Sequence, residues 1–188
     1  MEFTELVVKR RSVFKFTNQS VSLDDLLPAL SLANFAPNHH LTQPWQFLWV
    51  GEQTKATLAE IYAIARATKK VGVDSPDFAD AVSRANKKFL QIPAILMVAC
   101  RVDDNPIVAE EDYASTCCAI QNLLLGIVDA GLGAQWSTHP MIQDLRVLSL
   151  LELSEEQRVV AMIYIGYPEI VPPRPPRKSI DQFIRVLC

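Results

Sequence analysis

Apolar positions recur along this chain with two periods, and the switches between them mark out the elements. Leu6, Val7 and Val8 ahead of Lys9-Arg10-Arg11 predict a short amphipathic opening helix. Ser22-Leu23-Asp24-Asp25 reads as a capping box for a second helix through Leu26, Leu27, Leu30 and Leu32. It should stop near Ala36-Pro37, because the residue before proline avoids the helical region. Residues 45–50 are rich in aromatic and branched side chains and predict a strand. Residues 52–70 and 77–91 predict helices, the second with Ser75 as N-cap and Pro76 in its first turn. Residues 94–100 predict a buried strand. A long helix is expected over 111–130, closed by Gly131. Its middle, 119–128, is apolar on several faces, as a central buried helix must be. A short strand over 133–137, a helix from Pro140 to about Leu150 and a strand over 158–166 complete the pattern. The sum is an α+β domain of roughly five or six helices covering about four strands.

The end of the chain has neither period. Five of the twelve prolines fall between Pro168 and Pro176, so residues 168–178 must be extended. Ile180, Phe183, Ile184, Val186 and Leu187 follow, too apolar to trail in water. The expectation is one domain over 1–188, with residues 168–188 as an arm lying across a partner subunit. The central helix would supply the rest of that interface.

Composition narrows the function classes. With 49% hydrophobic and 21% charged residues, the 188-residue chain can bury a sizeable core and is not a disordered tail or a disulfide miniprotein. Lys plus Arg number 18 against 21 acids, a net of −3, so bulk charge gives no case for nucleic-acid binding. Cys100, Cys117, Cys118 and Cys188 show no CxxC spacing and sit in apolar flanks, as buried small hydrophobes of a reducing compartment do. The start, Met1-Glu2-Phe3-Thr4-Glu5, lacks the basic opening of a signal peptide, and no apolar run reaches the ~20 residues of a membrane span. A cytoplasmic setting is expected.

Three stretches carry candidate chemistry. Arg10-Arg11-Ser12 offers two guanidiniums and a hydroxyl, which can hold a phosphate or simply suit a helix C-terminus. Residues 36–45, from Ala36 to Trp45, form a stiff loop between prolines with amide and imidazole donors; its alternative is a plain connector with solvated His39 and His40. No HxH or HxxxH spacing and no interleaved carboxylate supports a metal site. Gly131-Leu132-Gly133 runs from helix to strand, the wrong order for a dinucleotide turn. Trp136-Ser137-Thr138 could face a ligand or sit in the core. The acids Glu110-Glu111-Asp112 read as charge at a helix N-terminus. GxSxG, P-loop and HExxH motifs are missing, so an enzyme of this kind would need an organic cofactor for the hard chemistry.

In order and spacing, these pieces resemble the nitroreductase family of FMN-dependent oxidoreductases. The carriers are Arg10-Arg11-Ser12 with Phe16, Ala36-Pro37 with Gln43-Pro44-Trp45-Gln46-Phe47, the helix over 119–133 ending in two glycines, and Gly166-Tyr167-Pro168 with Arg177-Lys178. The resemblance implies a central mixed or antiparallel sheet covered by helices and an intertwined homodimer with FMN at the interface. It implies Arg10, Arg11 and Ser12 on the FMN phosphate and ribityl chain, with Arg177 as a further phosphate ligand. Phe35 and His39 would lie along the cofactor, Gln43 would reach the ring edge, and Trp136, Ser137 and Thr138 would line the flavin. Gly126, Ile127, Val128, Asp129, Ala130 and Gly131 match the stretch associated with nicotinamide contact. The implied activity is hydride transfer from NADH or NADPH through the flavin to a nitroaromatic, a quinone or a similar electron-poor acceptor, without a side-chain catalyst. Alternatives are a flavin-binding protein with a storage or dehydrogenation role and a cofactor-free interaction module. Three positions depart from the family pattern: Phe14 where a cation is usual, Leu41 where Asn is usual, and Asn38-His39 in place of two serines.

Overall fold

A computed structural model describes residues 2–187. Four antiparallel strands form one sheet in the order β1 (Trp45–Trp49), β2 (Ala94–Arg101), β4 (Gln157–Gly166), β3 (Gly133–Ser137). The two central strands are buried on both faces, which explains their unbroken apolar runs. Alternate residues serve opposite layers. Leu96, Val98, Ile163 and Ile165 pack in the cluster that includes α2 (Leu23–Ala33) and α5 (Pro106–Asp129). Ile95, Met97, Met162 and Tyr164 pack in the cluster that includes α3 (Glu52–Val71), α4 (Phe78–Leu90) and α6 (Leu145–Leu150).

The helix ends follow local chemistry. Ser22 and Asp25 form the expected reciprocal box: the Asp25 amide donates to Ser22 Oγ at 3.2 Å, and the Ser22 amide donates to Asp25 Oδ2 at 2.8 Å. Those bonds hold the Asp25 carboxyl below its ordinary value. Gly131, at φ +77°, closes α5: its amide donates to Val128 and the Leu132 amide to Ile127, the double bond of a Schellman end. Between α2 and α5 the approach is set by Gly126, where an added Cβ would lie 2.8 Å from Ala29 Cα.

Some boundaries differ from expectation. α5 begins at Pro106, five residues before the expected start at 111, with Asn105 Oδ1 accepting the Ile107 amide at 3.0 Å. The acids Glu110, Glu111 and Asp112 therefore lie beyond the first turn, which contains no acid. α4 begins at Phe78, and Ser75 caps the preceding turn by accepting the Asp77 amide. The single helix expected from Pro140 is two pieces, a 3₁₀ turn (Pro140–Gln143) and α6, divided by Asp144, whose carboxylate accepts the Arg146 amide. Cys100 is buried as expected, but Cys117 is half-buried and Cys118 exposed; Cys188 lies outside the described residues.

The opening helix α1 (Phe3–Lys9) buries no residue, and Phe3, Val7 and Val8 face outward. The arm is extended apart from one 3₁₀ turn (Ile180–Gln182). From Pro173 to Leu187 every residue is exposed, the apolar ones included: Phe183 is 68% and Leu187 79% exposed.

Candidate functional site

β3 is an edge strand, and the chain's own start runs along part of it. Ser12 bridges Ala134 in parallel, and the Val13 amide donates to the Ala134 carbonyl at 2.9 Å. The approach needs glycine at 133, since a Cβ there would lie 2.7 Å from Val13 Cγ2. The segment then crosses toward the arm, where the Thr17 amide donates to Tyr167 and the Glu169 amide to Lys15. Arg10, Arg11 and Ser12 are thereby brought to the edge that Trp136, Ser137 and Thr138 continue. Past Ala134, no other β-pairing covers the outer edge of β3 among the described residues. Its backbone groups are available to a ligand. Trp136 adds a buried indole N–H with no partner among the described residues.

The two arginines do different work. Arg11 Nη1 donates to the Val8 and Arg10 carbonyls, 2.6 Å each, so this guanidinium ties down the end of α1. The helix-end alternative weighed for the pair thus describes the geometry of Arg11.

Gln135 and Ser137 face the α3–α4 side of the sheet, as cross-strand neighbours of Tyr164 and Met162. A cavity of about 420 Å³ opens there, bordered by Gln135, Tyr164, Tyr62, Arg66, Phe14 and Lys15. Burial pushes the Tyr164 hydroxyl up, against a hydrogen bond with Ser137 that pulls it down. His139, just past β3, accepts the Met141 amide on Nδ1 at 3.3 Å, which puts the proton of the neutral ring on Nε2. Burial holds His139 below its ordinary 6.5, and the Arg66 and Lys69 charges push it the same way. A depressed histidine leaves more protons on the unfolded chain between the folded value and 6.5. Stability from this group is complete above 6.5 and is lost as pH falls through that window. His139→Asn keeps an acceptor for the Met141 amide and removes the titration. Thermal melts from pH 8 to 5 should show a shallower acid-side decline in the variant; parallel curves would mean that His139 contributes nothing to it.

The loop after α2 forms a second cluster. Asn38 Oδ1 accepts the Gln43 amide at 2.7 Å, and Asn38 Nδ2 donates to Ser115 Oγ at 3.3 Å. The Thr42 hydroxyl donates to Asp112 Oδ1 at 2.5 Å. Asp112 is buried on α5, and its Oδ2 has no partner among the described residues. These bonds fix a loop in which Leu41 and Gln43 both adopt positive φ, +52° and +46°, costing roughly 1–3 kcal/mol each. The Asn38-for-serine departure is therefore a clamp between the loop and α5. His39 Nδ1 and His40 Nε2 lie 3.1 and 3.0 Å from Glu111 Oε2, so the fold supplies the carboxylate that sequence spacing lacked. Asn38→Ala should cost about 1–3 kcal/mol through its orphaned partners, read in a denaturant melt. An unchanged midpoint would show that the loop holds itself.

The predicted site residues thus fall into two groups. Phe35, His39 and Gln43 belong to the loop preceding β1, one edge of the sheet; Arg10 to Ser12 and Trp136 to Thr138 belong to the β3 edge. Three strand spacings, about 14 Å, separate these edges. Asp112, which anchors the loop, and Asp129, which ends α5 ahead of β3, are about 26 Å apart at helical rise. Phe35 is 82% exposed. Gly126 and Ile127 are buried in the α2–α5 packing, while Val128 and Gly131 border a smaller cavity with Lys9, Arg11 and Pro168. Arg177 is exposed on the arm. Sequence reasoning missed Asp112, Tyr62, Arg66 and Tyr164.

An antiparallel sheet clad by helices, with a cationic start beside an open edge strand, is the nitroreductase-like α+β fold. The nitroreductase family model matches residues 7–167, and the chain belongs to that family. It is 32% identical over 182 residues to "Putative NAD(P)H nitroreductase YfhC" of Bacillus subtilis (strain 168), covering 95% of this chain and 91% of the relative. The crystal structure of a nitroreductase-like family protein from Bacillus cereus superposes with a TM-score of 0.84 at 28% identity, over 100% of this chain and 96% of the other. Oxidized iodotyrosine deiodinase bound to FMN and 3-iodo-L-tyrosine superposes with a TM-score of 0.75 at 28% identity, over 94% and 95% of the two chains.

Proposed function

We propose that the chain is an FMN-dependent oxidoreductase that works as a homodimer, taking hydride from NADH or NADPH and delivering it to a nitroaromatic, a quinone or a similar acceptor. One observation supports the reading: the residues proposed for the flavin lie at opposite edges of the sheet, as two halves of a site would. A two-fold copy brings one half-site to the other. The residues suit FMN chemically. Arg10 and Ser12 offer charge and a hydroxyl to its phosphate and ribityl chain, with Arg177 reaching in from the arm. The open β3 edge offers backbone groups to ring heteroatoms, and the buried Trp136 N–H beside it has no partner among the described residues. Phe35, His39 and Gln43 of the second copy close the site, with their loop held by Asn38 and Asp112.

Bound FMN supplies the two-electron relay between donor and acceptor, and the protein's part is to bind, orient and exclude water. No helix among the described residues is long and apolar enough to cross a membrane. The likeness to the deiodinase favours a second reading, in which the acceptor is a halogenated tyrosine. The purified protein should be yellow or take up one FMN per chain. It should then oxidise NADH or NADPH when given a nitroaromatic or quinone. Turnover with 3-iodotyrosine alone would select the second reading, and failure to bind FMN would sink both.

A further inference from the structure

Two adjacent histidines on a regular strand would point to opposite faces, so spacing rules for metal ligands pass over such a pair. Here the chain turns at residues 39–40, and the two side chains converge. Their ring centroids lie 4.2 Å apart, with 33° between the planes. His39 presents Nδ1 and His40 presents Nε2 to one oxygen, Glu111 Oε2, at 3.1 and 3.0 Å. The three donor atoms all lie within 4.8 Å of one another. In a tetrahedral shell with bonds of ~2.0–2.1 Å, donors stand about 3.3 Å apart. The two nitrogen–oxygen spacings are already close to that.

The frame around the three donors is built on both sides. Glu111 stands on the second turn of α5, a rigid element. Asn38 and Thr42, which flank the histidine pair, both bond to Asp112, the residue next to Glu111. Such supporting bonds orient ligands before a metal arrives. Neither the 36–44 loop nor α5 contains a lysine or arginine, while Glu110, Glu111 and Asp112 concentrate negative charge at this point. The competing account is a carboxylate oxygen that accepts one N–H from each ring, an exposed contact of small worth.

The geometry points to a divalent metal site in which His39 Nδ1, His40 Nε2 and Glu111 Oε2 bind Zn²⁺ or another metal of the same borderline class. Two imidazoles and one carboxylate suit zinc, nickel, cobalt or copper; magnesium and calcium prefer all-oxygen shells. Three protein donors leave at least one position open, and the exposure of both histidines puts that position in reach of solvent. The metal would tie the loop to α5 at a second point beside the Asn38 clamp, and it would fix the His39 ring with Nε2 still free. All three donors belong to one chain, so the site does not rest on the flavin reading.

The test is calorimetric titration of the full-length protein, free of any histidine tag and stripped with a chelator, using Zn²⁺ with and without added FMN. One ion per chain should bind, and Mg²⁺ in excess should not compete. Glu111→Gln keeps a hydrogen-bond acceptor for both rings but loses the anionic ligand; it should weaken binding at least tenfold, and His40→Gln should do the same. A melt of each variant without metal checks the fold, which these surface changes should leave intact. At a hundredfold excess over its dissociation constant, Zn²⁺ should raise the wild-type midpoint by about 5–10 °C and leave both variants where they were. Co²⁺ in place of Zn²⁺ should give a d–d spectrum without a thiolate charge-transfer band, which separates this site from the exposed Cys118. Absence of Zn²⁺ binding overturns the proposal. So does binding that survives in both variants, or a Co²⁺ spectrum dominated by thiolate. Failure of the flavin reading appears separately, as a colourless protein that still takes up the metal.

Discussion

Ending the chain after Pro173 should yield a monomer that no longer retains FMN. Pro172, Pro173, Pro175 and Pro176 keep the arm extended, and every described residue of it from Pro173 onward is exposed. Ile180, Phe183, Ile184, Val186 and Leu187 are all more than half exposed. Burying one such side chain is worth roughly 1.5–3 kcal/mol. Five in each of two arms is a scale that decides an association. The truncation also removes Arg177, so cofactor retention falls for two reasons. Sedimentation and flavin absorbance read the outcome together. A truncated protein that sediments as a dimer and stays yellow would show the arm to be dispensable. An Arg177→Ala protein separates the phosphate contact from the association.

Gly126→Ala should destabilise the fold by about 1–3 kcal/mol despite improving the helix. Alanine is favoured over glycine within a helix by about 1 kcal/mol. Here the new methyl would stand 2.8 Å from Ala29 Cα and 2.9 Å from Ala29 Cβ, with Leu32 Cδ1 at 3.1 Å. The first obstacle is backbone, so α2 as a whole must move away from α5, and overpacking of that kind costs about 1–3 kcal/mol or more. The melting temperature should fall by several degrees, at ~2–4 °C per kcal/mol for a chain of this size. Gly51→Ala is the control: its Cβ would meet nothing within 4 Å, and its effect should be small. A more stable Gly126→Ala protein would mean that α2 is not seated as described. In the nicotinamide-contact stretch suggested by the family resemblance, Gly126 already has a sufficient reason to be glycine in this packing.

Local rules carried most of the elements. The Ser22 box, the Gly131 terminator and the buried runs of β2 and β4 are each written within a few residues, and each lies where it was expected. Boundaries went wrong where two local signals competed. Asn105-Pro106 is a cap followed by a first-turn proline, yet the acids at 110–112 suggested a later start. The site was legible only in part, because its organisation depends on contacts between distant residues. Thr42 and Asp112 are 70 residues apart, and no periodicity links a loop threonine to a helix carboxylate. The cavity draws Tyr62, Arg66, Gln135 and Tyr164 from three elements, of which only Gln135 lies in a motif-bearing stretch. The partition of the motifs between two sheet edges required the strand order, which an antiparallel sheet with crossovers does not disclose in its sequence.

That partition has a genetic consequence on the proposed reading. A chain defective at the β3 edge and a chain defective in the 36–44 loop are each inactive when paired with their own kind. Paired with each other, they rebuild one sound site and one doubly damaged site. Random pairing in equal amounts makes half of the dimers mixed, so about a quarter of the normal number of sites returns by symmetry alone. Two lesions in the same half-site can never rescue one another. Loss of function would therefore sort into two complementation groups within a single gene, with the boundary following the geometry of the sheet rather than the order of the codons.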